Sequence, residues 1–227
     1  MASSIRLRYS IICHFFILGM AFSCGFEKEE KTTAQGSTAP TEAEEALQLI
    51  NSGLQQLPNW ISYWKRADSG FDPTAFTLGK EEIYEQLEWP EENFINEQHH
   101  FFPYLLPQPE GEGVVDIYSY KIVYPEEKKP FLNPDSEVIF FKSNGMRERL
   151  LFMGPSGTFD EAKWVSPDHL MVTGRFETVE GVTPKIWLII PSKSKYYVFD
   201  HPLISQTIPK DGYLKEKFSQ IDWSDEL

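Results

Sequence analysis

Apolar residues change their spacing twice along this chain, and the changes outline its organisation. From Thr41 to Leu57, Ala46, Leu49, Ile50, Leu54 and Leu57 recur in steps close to one helical turn, as on one helix face. Thr41-Glu42-Ala43-Glu44 opens this stretch as a capping box, with a Thr hydroxyl and a Glu carboxylate satisfying free backbone N–H groups. Pro58 should end or kink the helix, and Trp60, Ile61 and Trp64 predict a continuation to about Arg66. Ile83 and Leu87 lie four apart and predict a second short helix over residues 80–88. Pro90, Pro103, Pro107 and Pro109 make 89–112 irregular.

From Val114 the period becomes two. Tyr118, Tyr120, Ile122 and Tyr124 fall on one face of a predicted strand. Strands follow over 137–142, 147–153, 158–165, 169–177, 184–190 and 195–199. Asn144-Gly145 suits a type I′ hairpin turn, and Gly154-Pro155-Ser156-Gly157 reads as another turn. Such short connections make antiparallel neighbours. The expectation is a meander of about seven strands over 113–200. A C-terminal extension, 201–227, follows, in which Asp211 caps a last helix bearing Leu214, Phe218 and Ile221. The fold class is α+β: a helical and irregular segment, 41–112, packs on an antiparallel sheet or a small open barrel. Residues 41–227 form a single domain.

Hydrophobic residues make up 41% of the chain and aromatics 15%; such a share fills a core and argues against a disordered chain. The formal net charge of -13 repels nucleic acid and anionic headgroups, so no nucleic-acid partner is expected.

The first 23 residues read differently. They hold Arg6 and Arg8, no acidic residue, and a mostly apolar run from Ile11 to Phe22. That run is short of the roughly 20 apolar residues of a membrane-crossing helix and fits a secretory signal peptide. Cys13 would leave with the leader, so Cys24 would be the lone cysteine of the mature chain. Ala21-Phe22-Ser23-Cys24-Gly25 resembles the lipobox of bacterial lipoproteins. The resemblance covers residues 1–25. It implies cleavage before Cys24, lipid on its sulfur, and a membrane partner reached through that lipid, with stable anchoring once several acyl chains are attached. Phe26-Glu27-Lys28-Glu29-Glu30-Lys31 is similar to the acidic tag that sends some lipoproteins to the cell surface, and reads equally as a charged tether. Residues 24–40 make a lipidated cysteine and a flexible linker. The expected location is the bacterial envelope, at the outer membrane, with surface exposure open.

A second local resemblance lies in the folded part. Trp164-Val165-Ser166-Pro167-Asp168 followed by Leu170-Met171-Val172 resembles the blade motif of periplasmic propellers of the TolB type, with Val165 inserted. Seven strands supply fewer than two four-stranded blades, so a full propeller is excluded. A hairpin corner, with Trp164 in the core and Pro167-Asp168 in the turn, accounts for the same residues.

Candidate chemistry is sparse. Neighbours such as His99-His100 diverge by about 100° on a helix and face opposite ways on a strand, so they chelate poorly. Asn133, Asp135 and Glu137 alternate like the start of a calcium loop, without its glycine and closing glutamate. Ser156 lacks the spacing of a nucleophile elbow. Neither catalytic residues, a metal nor a cofactor is therefore assigned. Trp60, Tyr63, Trp64, Tyr118, Tyr120 and Tyr124 remain, as core packing or as a platform for a protein, peptide or glycan ligand. The leading functional expectation is a non-enzymatic envelope binding module. The alternative is an envelope hydrolase built on Asp168-His169 or Asp200-His201.

Overall fold

The computed structural model describes residues 40–224, with 93, 112 and 210 excepted. The leader, Cys24, the acidic run 26–31 and tether residues up to 39 lie outside the described residues.

Two helices open the domain, α1 (Glu42–Leu54) and α2 (Pro58–Ala67). Short strands follow: β1 (Thr77–Ile83), β2 (Glu88–Pro90), β3 (Leu106–Pro107), β4 (Val114–Asp116), β5 (Ile122–Val123) and β6 (Phe131–Leu132), with a 3-10 turn at Phe102–Tyr104. The longer strands are β7 (Ser136–Phe141), β8 (Met146–Met153), β9 (Gly157–Ser166), β10 (His169–Thr178), β11 (Gly181–Ile190) and β12 (Lys195–Asp200), before α3 (Gly212–Lys217). One five-stranded sheet runs β1-β12-β11-β10-β9, a second runs β2-β8-β7-β4-β3, and β5 pairs with β6. Every named pairing is antiparallel. The chain has the expected α+β class, and neither five-stranded sheet closes into a barrel.

The capping box forms. Thr41 Oγ1 accepts from the Glu44 amide at 3.3 Å, and Glu44 Oε2 accepts from the Thr41 amide at 2.7 Å. Beyond it, α1 buries Ala46, Ile50, Gly53 and Leu54. A Cβ on Gly53 would lie 2.6 Å from Val165 Cγ1 and 2.7 Å from Met171 Sδ, so the helix rests directly on β9 and β10. Pro58 begins α2, where its missing N–H costs nothing. Trp60 and Trp64 of α2 are fully buried against Phe71, with ring centroids 5.7 and 5.6 Å away.

Three expectations need correction. Residues 80–88 do not form a helix: 77–83 is an edge strand paired with β12. The helical spacing of Ile83 and Leu87 has no core to face, since they are 80% and 43% exposed. Cross-strand contacts favour the strand instead: Glu81 pairs with Lys195 at 3.0 Å, and Tyr196 donates to Glu82. Nor does 118–124 form one strand. The Asp116 carboxylate accepts from the amides of Tyr118 (3.0 Å) and Ser119 (3.2 Å), folding an Asx turn that breaks the alternation. Finally, the meander holds six strands, β7 to β12, and it is divided. β7 and β8 belong to one sheet and β9 to β12 to the other, so the chain changes sheets at Gly154-Pro155-Ser156.

The division protects an edge. Unpaired strand edges invite association unless covered, and β9 is covered by the second sheet. Trp164 Nε1 donates to the Leu106 carbonyl at 3.3 Å, and its ring meets Phe140 at 6.3 Å. Trp164 is thus a core residue at the seam between the sheets. Pro167-Asp168 makes the β9–β10 turn, and Gly145 adopts φ 85 in the β7–β8 turn.

Candidate functional site

The residues singled out in the sequence go to three places. Trp60, Trp64 and Tyr63 are core: the two Trp rings are sealed and Tyr63 is 6% exposed, packed edge-on against Tyr213 at 5.3 Å. They leave the proposed platform because the amphipathic face of α2 is its buried face. Tyr120 is partly exposed on the turn after Asp116. Tyr118 is also core, 3% exposed and packed on Phe101 and Phe218, while Tyr124 comes together with aromatics from elsewhere in the chain.

That gathering is an open cleft. His100, Phe101 and Tyr104 arrive on the irregular segment around the 3-10 turn, Tyr124 just after β5, and Phe218 at the end of α3. His100 and Tyr124 stack nearly parallel, 4.0 Å apart at 12°. Phe218 stands edge-on to Phe101, Tyr104 and Tyr118, at 6.0, 5.0 and 5.1 Å. Offset and edge-on ring pairs of this kind fix one another's orientation. The rings border a cavity of about 390 Å³, whose remaining walls include Pro130, Gln220, Ile221 and Asp222. Asp222 is paired with Lys129 at 2.8 Å. Tyr104 also lines a smaller cavity of about 180 Å³, together with Tyr118, Glu161 and Lys217. There Glu161 accepts from Tyr118 (3.2 Å), Tyr213 (2.5 Å) and Lys217 (2.5 Å). Burial drives the Tyr118 and Tyr213 phenols well above their ordinary range, so both stay protonated as donors.

Next to Glu161 the chain turns charge inward. Asp160 is the extra residue of a β-bulge, where the ladder steps from Glu161↔Thr173 to Phe159↔Gly174. Gly174 is required opposite it, since a Cβ there would lie 2.1 Å from the Thr158 carbonyl oxygen. The sealed Asp160 carboxylate accepts from Trp60 Nε1 at 3.1 Å and lies 3.8 Å from Arg175. Desolvation pushes its pKa up to about 6 against the pull of Arg175. Arg175 reaches Asp211 at 3.2 Å, and Lys121, also sealed, approaches Asp211 at 3.5 Å. Burial works to raise the Asp211 carboxyl, but Lys121 and Arg175 together hold it below its usual range. Asp211 sits at the N-cap position of α3, yet its side chain serves this cluster instead of capping the helix, which corrects the expected cap.

The two Asp-His pairs do not assemble in sequence order. Asp168 accepts from Ser192, while His169 Nδ1 meets Ser166 Oγ at 2.7 Å. Asp200 pairs with Lys185, while His201 Nε2 bonds the Asp72 carbonyl at 2.8 Å between Phe71 and Phe76. Burial lowers both imidazole pKa values. His99 Nδ1 accepts from the Phe101 amide at 3.2 Å, and its ring stands 6.5 Å from that of His100 at 63°. Asn133 accepts from the Asp135 amide and Glu137 pairs with Arg149, a turn and a cross-strand ion pair. Among the described residues, no three His, Cys, Asp or Glu side chains gather as a metal site.

Sequence reasoning passed over His100 as a ring, and also Phe101, Tyr104 and Phe218. The available signal was the density of aromatics in 100–104, His-Phe-Phe-Pro-Tyr, in a segment otherwise rich in turns. The chain matches no family model, no curated protein and no solved structure.

Proposed function

We propose that this chain is a non-enzymatic binding module of the bacterial cell envelope, lipid-anchored through Cys24 and holding its ligand in the aromatic cleft. The carrying observation is the convergence of rings from three separate segments, 100–104, Tyr124 and Phe218, on one open cavity of about 390 Å³. That volume lies in the range of small-ligand sites, which combine apolar walls with a few polar groups. The leader, the lipobox-like Ala21-Phe22-Ser23-Cys24 and the polar tether support anchoring at the outer membrane, with the domain held clear of the lipid. The hydrolase alternative draws no support from its Asp-His pairs, whose carboxylates engage Ser192 and Lys185.

Two measurements test the reading. Cys24→Ser is expected to accumulate as uncleaved precursor; normal processing and membrane retention would remove the anchor. For the cleft, wild type and Tyr124→Ala are screened by thermal shift against short peptides and oligosaccharides. The expected result is a ligand that raises the wild-type Tm and leaves the variant's unchanged. A screen in which every stabilising ligand acts equally on both proteins would move the site elsewhere.

A further inference from the structure

Resting on the cleft as the binding site, we infer that its ligand is a neutral oligosaccharide, laid across Tyr104 from the larger cavity into the smaller one beside Glu161.

The two cavities share Tyr104, and consecutive residues at the end of α3 divide between them, Lys217 facing the smaller and Phe218 the larger. A ligand longer than one ring is what such a paired cleft accommodates. Its walls supply two kinds of contact. Tyr104 and Tyr124, the phenol rings of the cleft with exposed surface, offer flat faces of negative potential, which favour the C–H face of a pyranose. Polar side chains at the rims offer acceptors at Asp222 and Glu161 and both donor and acceptor at the Gln220 amide, matching hydroxyl groups that both donate and accept.

Charge decides against other small ligands. Each wall carboxylate already carries a lysine, Lys129 on Asp222 and Lys217 on Glu161. An anionic ligand would approach both carboxylates, and a cationic one would have to displace a lysine already in place; burying either charge without a fresh partner is unfavourable. A neutral, hydroxyl-rich ligand meets neither obstacle. A peptide bound by strand addition draws much of its affinity from backbone hydrogen bonds to a sheet edge. The larger cavity is instead walled by a 3-10 turn, loops and the end of α3.

The test uses the full chain, extracted in a detergent without a sugar headgroup and titrated by calorimetry. Probes are neutral tetrasaccharides of glucose, mannose, xylose and N-acetylglucosamine, their disaccharides, tetragalacturonate, and a neutral peptide containing Trp and Pro. At least one neutral tetrasaccharide is expected to bind, about tenfold or more tighter than its disaccharide. Tyr124→Ala and Tyr104→Ala should each weaken it by about tenfold or more, with Tyr104→Phe near wild type. Tyr124 is partly exposed, so its variant keeps the experiment readable if Tyr104→Ala fails to fold. Equal affinity for di- and tetrasaccharide would overturn the two-cavity placement, and preference for tetragalacturonate the neutral ligand. Binding of the peptide alone, lost in Tyr124→Ala, would overturn the carbohydrate and leave the binding module standing. No Tyr124-dependent binding by any probe would overturn both.

Discussion

Asp160 and Glu161 are consecutive residues on β9, yet their carboxylates have different surroundings. Asp160 is sealed at a bulge, with one indole donor and an arginine at 3.8 Å. Glu161 stands at the rim of the smaller cavity with three donors, two phenols and an ammonium. The inner group belongs to a charge cluster, Asp160, Arg175, Asp211 and Lys121, whose members lie between 0% and 4% exposed. The rim group is partly exposed and joins two buried phenols to Lys217 at the wall of the smaller cavity. Buried ion pairs are costly to break and contribute little when formed, whereas open clefts contribute little stability and are available to ligands. The pair therefore separates what holds the domain together from what the domain presents.

Variants sharpen that separation, beginning with the largest effect. Arg175→Met leaves Asp160 and Asp211 without their shared cation and is expected to lower stability by about 3–5 kcal/mol, read from the urea midpoint. Adding Asp160→Asn to it should recover part of the loss, and strict additivity of the two changes would show that the residues do not interact.

The pH dependence comes next. The folded pKa of Asp160, about 6, lies above its ordinary 3.8. The folded chain then holds a proton the unfolded chain has released, so this group's contribution falls as pH rises from about 4 to about 6, by about 3 kcal/mol. Asp160→Asn removes that limb. The difference in stability between variant and wild type should move in the variant's favour across the window, and a flat difference would place the titration elsewhere. Asp211 acts in the opposite sense, since its lowered pKa makes its contribution fade as pH drops.

Gly174→Ala drives a methyl into the Thr158 carbonyl across from the bulge and should cost about 1–3 kcal/mol, again by urea midpoint. The smallest effect belongs to the cleft. Tyr124→Ala gives up the His100 stack and is expected to cost about 1 kcal/mol in the same assay. A loss comparable with that of Arg175→Met would make the cleft part of the scaffold and end the comparison.

Much of the scaffold was legible in the chain and little of the site was. The capping box at Thr41, the break in the helical stretch at Pro58 and the Asn144-Gly145 turn are local signals that tertiary packing left in force. β1 went unread because its residues favour a helix in isolation, and only pairing with β12 reverses that preference. Tyr118, Tyr120 and Tyr124 alternate as a strand would, but Asp116 and Ser119 turn the chain among them and send them to core, surface and cleft. The cleft unites residue 100 with residue 218. The bulge at Asp160 depends on a mismatch between β9 and β10 that neither strand displays alone.

β1 has a further consequence for molecules crowded side by side. It lies at the end of its sheet, and pairing it along its full length with the same strand of a second copy, antiparallel and two-fold symmetric, centres the ladder on Lys80. Lysine then opposes lysine, and Leu78 opposes Glu82. Sliding the centre by one position toward the C-terminus sets Glu81 against Glu81. Like charges in directly opposed positions are unfavourable, so the exposed flank of the sheet disfavours a two-fold partner in both of these registers.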